Sequence, residues 1–139
     1  MLKLEIPTNI FEQMVAQAKA LAPIEACGIL AGKDNKAEKL FEMTNADNRS
    51  DHFMMEPKEQ FTIVKNIRSA DLEMLAIYHS HPETPARPSA EDIRLALTPD
   101  VIYVIVSLQD ANDANVKGFC VENGNVSEVP LKIVERQNE

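Results

Sequence analysis

The sequence predicts one α/β domain with a mixed sheet, and three features predict it. Stretches of strand periodicity alternate with stretches of helical periodicity. Two runs, "LEMLAIYHSH" (72–81) and "VIYVIVSL" (101–108), are nearly all apolar before their polar ends, as central strands buried on both faces are. An Asn123-Gly124 pair divides a third run, which signals a hairpin and brings antiparallel pairing into the sheet.

Each element follows in order. "LKLEI" (2–6) alternates apolar and charged residues, as a half-buried strand does. Ile10, Met14, Ala18 and Leu21 recur at helical spacing, with Pro7 and Asn9 as start signals and Pro23 as the stop. "EACGILAGK" (25–33) reads as a buried strand closed by Gly32 and the turn "KDNK", and "AEKLFEMTN" (37–45) reads as its hairpin partner. "NADNRSDH" (45–52) is a loop, and "FMMEP" (53–57) a short extended piece. A second helix is expected over 58–69, with Phe61, Val64 and Ile67 inward. The strand at 72–81 follows, then a short helix over 89–97, the strand at 101–108, and a closing hairpin over 115–134. No repeat, linker or low-complexity tract interrupts the pattern, so residues 1–139 read as one domain.

Composition bounds the function. A chain of 139 residues with 45% hydrophobic content can build a real core. Acidic residues outnumber basic ones, 22 to 14, for a net charge of −8, which argues against nucleic acid or an anionic membrane surface as partner. No apolar run approaches the roughly 20 residues of a membrane span. "MLKLEIPTNI" lacks the basic-then-apolar pattern of a signal peptide. Cys27 and Cys120 fit no paired-cysteine motif. The expectation is a soluble protein of a reducing cytoplasm.

The chemistry concentrates in "HSHPETPARPSAED" (79–92). On a strand, residues two apart share a face, so His79 and His81 present two imidazoles to one spot. Pro82, Pro85 and Pro88 stiffen the loop that follows, so its far end is held with little entropy loss. Ser89 suits a helix N-cap, and Asp92 then falls at the third helical position, pointing back toward the helix start. Ser89-x-x-Asp92 alone would read as a capping pattern. With the two histidines it completes a His-His-Asp set. Three protein ligands leave a position open for water, as in catalytic zinc sites. Such a water needs a base. Glu25, which opens an otherwise apolar strand, is the candidate. Cys27 would share its face and reads as a small core residue. His52 has no such company and reads as a loop residue.

"PIEACGILAG" and "HSHPETPARPSAED" together resemble the JAMM or MPN-plus metalloproteases. That pattern has a glutamate on an early strand, then His-x-His-Pro, seven residues between the second His and a Ser, and two more before an Asp. Glu25, His79, His81, Ser89 and Asp92 match all five positions. "NRSDHFMMEPKEQF" (48–61) is similar to the segment before the second helix of short prokaryotic members, and the likeness runs over roughly 2–106. The resemblance implies a cytidine-deaminase-like three-layer α/β/α sandwich. It implies a zinc-dependent peptidase or isopeptidase whose substrates end in a ubiquitin-like Gly-Gly tail. The residues matching His79, His81 and Asp92 hold zinc in that family. The one matching Glu25 is its general acid and base, and the one matching Ser89 helps stabilise the tetrahedral intermediate. The stretches 66–71 and 97–101 leave little room for the insertions with which larger eukaryotic members grip ubiquitin chains. Sulfur-carrier proteins, associated with short bacterial and archaeal relatives, are then the expected partners.

Three rivals make different demands. A metal-free MPN-type scaffold would bind no zinc. A two-histidine-one-carboxylate iron oxygenase leaves Glu25 and the proline loop without a role. A nucleoside deaminase needs His-x-Glu and Pro-Cys-x-x-Cys pieces that the chain lacks.

Overall fold

The computed structural model describes residues 3–110 and 112–135. Its strands are β1 (Leu4–Pro7), β2 (Cys27–Lys33), β3 (Lys36–Met43), β4 (Glu73–His81), β5 (Ile102–Ser107), β6 (Asn115–Glu122), β7 (Asn125–Val129) and β8 (Leu131–Val134). They form one eight-stranded sheet in the order β7-β6-β5-β4-β2-β3-β1-β8. The helices are α1 (Thr8–Leu21), α2 (Pro57–Ser69) and α3 (Ala90–Leu95). The sheet is mixed as expected: β4 runs parallel to β5, β1 runs parallel to β3 and β8, and the other neighbours are antiparallel.

Strand alternation sorts the core into two faces. Leu30, Ala76, Tyr78, Val104 and Val106 face α1, whose Ile10, Met14 and Ala18 are buried at helical spacing. Cys27, Ile29, Ala31 and Ile77 face the other way and meet Ile67 and Ile63 of α2. Helices on both faces of one sheet make the three layers. The turn between β2 and β3 places Asp34 and Asn35 at φ of 53° and 60°, and Asn123 and Gly124 take 51° and 79° between β6 and β7. These are the positive angles that two-residue hairpin turns require.

The structure corrects the expectation at several places. The first strand spans Leu4–Pro7, and the expected Leu2 lies outside the described residues. Phe61 is 70% exposed and not inward. Ile63 and Ile67, one turn apart, set the buried stripe of α2, and Phe61 lies about 200° around the helix from Ile63. The third helix is shorter than expected, ending at Leu95. The closing hairpin is only β6 and β7. After Pro130 the chain enters β8, which pairs with β1 at the far end of the strand order. Strands joined through one residue yet at opposite ends of the order require the sheet to curl until its edges approach. α1 sits inside that curl, touching β1, β3, β5 and β8.

β4 is the central strand, buried from Leu75 to His81. Tyr78 pins it. Its ring lies where a Cβ on Gly28 would stand, and its hydroxyl donates to Gln17 Oε1 of α1. Gln17 Nε2 in turn donates to Cys27 O at 3.1 Å. β2, β4 and α1 are thereby locked behind the face that carries the histidines.

Gly28→Ala should test this lock. The new Cβ would stand 2.2 Å from the Tyr78 ring. That ring is 1% exposed, so it cannot swing away. Overpacking costs about 1–3 kcal/mol, and the upper end is expected in a urea titration. A loss under about 0.5 kcal/mol would show that the ring yields freely.

Candidate metal centre

β4 ends on the two imidazoles, both buried and both on the α2 face. Ser80 between them points to the opposite face. Its Oγ accepts from Ala26 N at 2.8 Å, and its N–H donates to Ala26 O at 2.9 Å. The β2–β4 register pairs Cys27 with His79. Carried two residues further, it sets Glu25 opposite His81. Glu25 was expected to open the strand; it lies just before it, in an extended segment. The pairing through Ala26 and Ser80 continues the register there.

The proline loop turns the chain back over the strand end. Pro85 O stands 2.8 Å from His81 Nδ1. A carbonyl only accepts, so Nδ1 carries the proton and Nε2 presents a lone pair inward. α3 then starts on a capping box: Ser89 Oγ accepts from Asp92 N at 3.0 Å, and Ser89 N donates to Asp92 Oδ2 at 2.9 Å. That same Oδ2 lies 3.0 Å from His81 Nε2 and 3.2 Å from His79 Nε2, and the two Nε2 atoms are 3.0 Å apart. The capping and convergence interpretations of Ser89-x-x-Asp92 are therefore both realised, through one oxygen.

These atoms fit a cation. Two imidazole nitrogens and a carboxylate oxygen converge within 4.8 Å, a donor set suited to a divalent metal. The surroundings favour positive charge. Burial opposes ionisation of Asp92, yet its close contacts with His79 and His81 and the Ser89 N–H hold it well below the usual carboxylate range. Burial would push His81 down, but Asp92 and the Pro85 carbonyl outweigh it and hold it above the ordinary range. Burial dominates at His79 and holds it low, toward the neutral form that binds metals.

A loop from the end of β3 closes the site, and sequence reasoning missed what anchors it. Asn45 is buried and uses all four of its hydrogen-bonding positions. Its Nδ2 donates to Glu25 O and His52 O, and its Oδ1 accepts from Asp47 N and Met54 N. Phe53, carried by this loop, stacks on His79 with centroids 4.7 Å apart and planes at 22°. His52 does have company: its ring lies between Asp47 and Glu91 of α3, with Nδ1 3.0 Å from Glu91 Oε1. It ties the loop to the helix that carries Asp92. Each partner is an ordinary surface residue type within a polar stretch, so no local signal marked the contact.

The same loop buries Glu25. Glu25 N donates to Arg49 O at 2.8 Å, the residue is 4% exposed, and its Oε1 has no hydrogen-bond partner among the described residues. Burial pushes its carboxyl up to about 8, with His81 pulling it down and Asp92 pushing it further up. Cys27 is the core residue expected. It is fully buried, donates to Met43 O at 3.8 Å, and burial holds its thiol up at about 12, far from a thiolate.

The profile of the prokaryotic homologs of the JAB domain matches residues 7–118. The chain belongs to this family. The expected resemblance to the JAMM/MPN-plus family is borne out by that match. A CysO-cysteine peptidase of Mycobacterium tuberculosis is 36% identical over 135 residues, covering 96% of this chain and 92% of its own. A desampylase of Pyrococcus furiosus is 30% identical over 110 residues, 79% of this chain and 76% of its own. Among solved structures, a protein from Desulfitobacterium hafniense is 38% identical and superposes with a TM-score of 0.87 over 96% of this chain and 94% of that one. The connections from α2 to β4 and from α3 to β5 are short in this JAB-family chain, at 70–72 and 96–101. No helix among the described residues is long and apolar enough to cross a membrane.

Glu25 gives the metal-free protein a distinctive pH dependence. Its carboxyl rises from 4.5 to about 8 on folding, so the folded state holds the proton more tightly. Stability from this group is full below the lower value and falls as pH rises through the upper one. At about 1.4 kcal/mol per pKa unit the loss is on the order of 3–5 kcal/mol. Glu25→Gln should remove it. Urea midpoints of chelator-treated protein at pH 5 and 8.5 should diverge between wild type and variant only at the higher pH; equal midpoints at both would show that Glu25 is not desolvated.

Proposed function

We propose that this protein is a zinc-dependent peptidase or isopeptidase that hydrolyses the amide bond after the Gly-Gly tail of a ubiquitin-like or sulfur-carrier protein. The observation that carries it is the convergence of His79, His81 and Asp92 beside a buried, unpartnered carboxylate. The named activities of its relatives, a CysO-cysteine peptidase and a desampylase, point to the same class. The three converging residues would hold the zinc. Zinc bound there supplies Lewis acidity, which makes water acidic near neutrality and polarises a carbonyl.

The chain's own residues do the rest. Glu25 takes the proton of the attacking water and returns it to the leaving amine. Its buried, unpartnered carboxylate beside the donor cluster is placed to accept that proton and to return it. Ser89 Oγ accepts one hydrogen bond as the cap, which uses a lone pair and leaves its O–H free. That O–H donates to the oxyanion of the tetrahedral intermediate. A glycine tail suits the approach, because only residues without side chains let the backbone come so close. Residues 1–139 act as one domain, consistent with the single continuous sheet. We place the protein in the cytoplasm, where its two free thiols are stable.

The direct test is to incubate zinc-loaded protein with Gly-Gly-tailed carrier fusions and weigh the products. Cleavage after the second glycine is expected, with about one zinc per chain by elemental analysis. His79→Ala and Asp92→Ala should lose most of the metal. Glu25→Gln should keep it and lose about 100- to 10,000-fold in turnover. Full metal in both ligand variants would refute the ligand assignment, and a wild-type protein that binds no zinc would be a scaffold.

Ser89→Ala separates the two roles of one hydroxyl. A cap alone is worth about 1 kcal/mol and would leave kcat per folded molecule intact. An oxyanion donor is worth about 100-fold or more in kcat. Both effects are expected on the same zinc-loaded preparation, the kinetic one larger. A lowered thermal midpoint with unchanged kcat would remove Ser89 from the mechanism.

A further inference from the structure

Beside the donor cluster lies a cavity of about 200 Å³. His79 and Asp92 form one side of it, and Glu91 and His52 lie at its polar part. The remaining wall is apolar: Phe53 and Met54 from the closing loop, Leu95 of α3, Tyr103 and Ile105 of β5, and Val121 of β6. Met54 and Leu95 are 52% and 42% exposed, so two large apolar side chains are left facing water here. An apolar cavity of about 150 Å³ can hold a benzene ring, so this one admits a side chain up to that size.

A Gly-Gly tail makes no use of such a space, because glycine has no side chain to fill it. If that tail forms the acyl side of the scissile bond, as proposed above, a side chain reaching an apolar wall next to the reacting atoms must come from the amine side. We propose that this cavity is the specificity pocket for the leaving residue, and that it takes an apolar side chain the size of leucine, methionine or phenylalanine. A cysteine side chain would leave most of it empty. An acidic one would be desolvated against Glu91 and Asp92. Size discrimination in an apolar pocket runs at roughly 10- to 200-fold per methylene at most, so a graded preference is expected.

The test uses zinc-loaded full-length protein and carrier fusions ending Gly-Gly-X, with X being Leu, Met, Phe, Cys, Gly or Asp. The pocket predicts kcat/KM for Leu, Met and Phe at least tenfold above Gly and Asp, with Cys between. Leu95→Gln, at a partly exposed position, should shrink the ratio of Leu to Asp severalfold. A second readout avoids turnover: in Glu25→Gln protein, methyl resonances of Leu95, Ile105 and Val121 should shift on adding the peptide Gly-Gly-Leu and not Gly-Gly-Asp. Cleavage of every fusion within threefold, or unmoved methyls, would overturn the pocket and leave the Gly-Gly specificity standing. Cleavage of no fusion would overturn both.

Discussion

Two imidazole nitrogens and one carboxylate oxygen stand 3.0–3.2 Å from one another. Lone pairs that close repel unless positive charge lies among them, so the arrangement is costly to hold without a cation. Each donor is therefore braced from outside. Pro85 O orients His81, Phe53 stacks on His79, and Ser89 N holds Asp92 Oδ2. Pro85 O and Ser89 N thereby fix which atom of His81 and of Asp92 points inward, a role that outer contacts play in metal sites generally.

The fold supplies the frame for that bracing. The imidazoles sit at the carboxyl end of β4 beside a parallel neighbour, and in α/β sheets that end is where ligands bind. Behind them, Tyr78 across Gly28 and Gln17 on α1 tie the strand to the concave core. In front, Asn45 fastens the loop that encloses Glu25. The opposite face of β4 is thus spent on rigidity and the site face on chemistry, a division that strand alternation makes possible. The curl of the sheet lets one helix, α1, support strands from both halves.

What was legible in the sequence was local. The period-two spacing put His79 and His81 on one face, and the three-residue spacing put Asp92 under its own cap, because both are properties of single elements. The hairpins at 34–35 and 123–124 were equally local, since their residue types suit positive φ. Glu25 was different. By itself a glutamate at a strand start says little, and its place opposite His81 follows only from the β2–β4 register. Asn45, His52 and β8 share that difficulty: their partners are distant in sequence and their own residue types are ordinary. Phe61 failed for another reason: it was expected inward with Val64 and Ile67, but the Ile63/Ile67 stripe decides the buried side of α2.

Oδ2 of Asp92 closes the cap of α3 and faces both histidines at once. α3 has six residues, too few to persist as an isolated helix. Its position rests on the cap, on the stiff proline loop before it, and on Glu91 reaching His52. Whatever occupies the donor cluster must therefore also stabilise the helix start, since it pulls on the carboxylate that closes the cap. By linkage the reverse holds as well: ordering α3 presents Asp92 and favours the cation. Leu95 and Glu91 on the same helix line the neighbouring cavity, so a side chain seated there would press on the element that completes the donor cluster. The donor cluster, the helix and the cavity are then three loads on one short segment. The loop held by Asn45 and the helix capped by Ser89 meet at the His52–Glu91 contact, where those loads are shared.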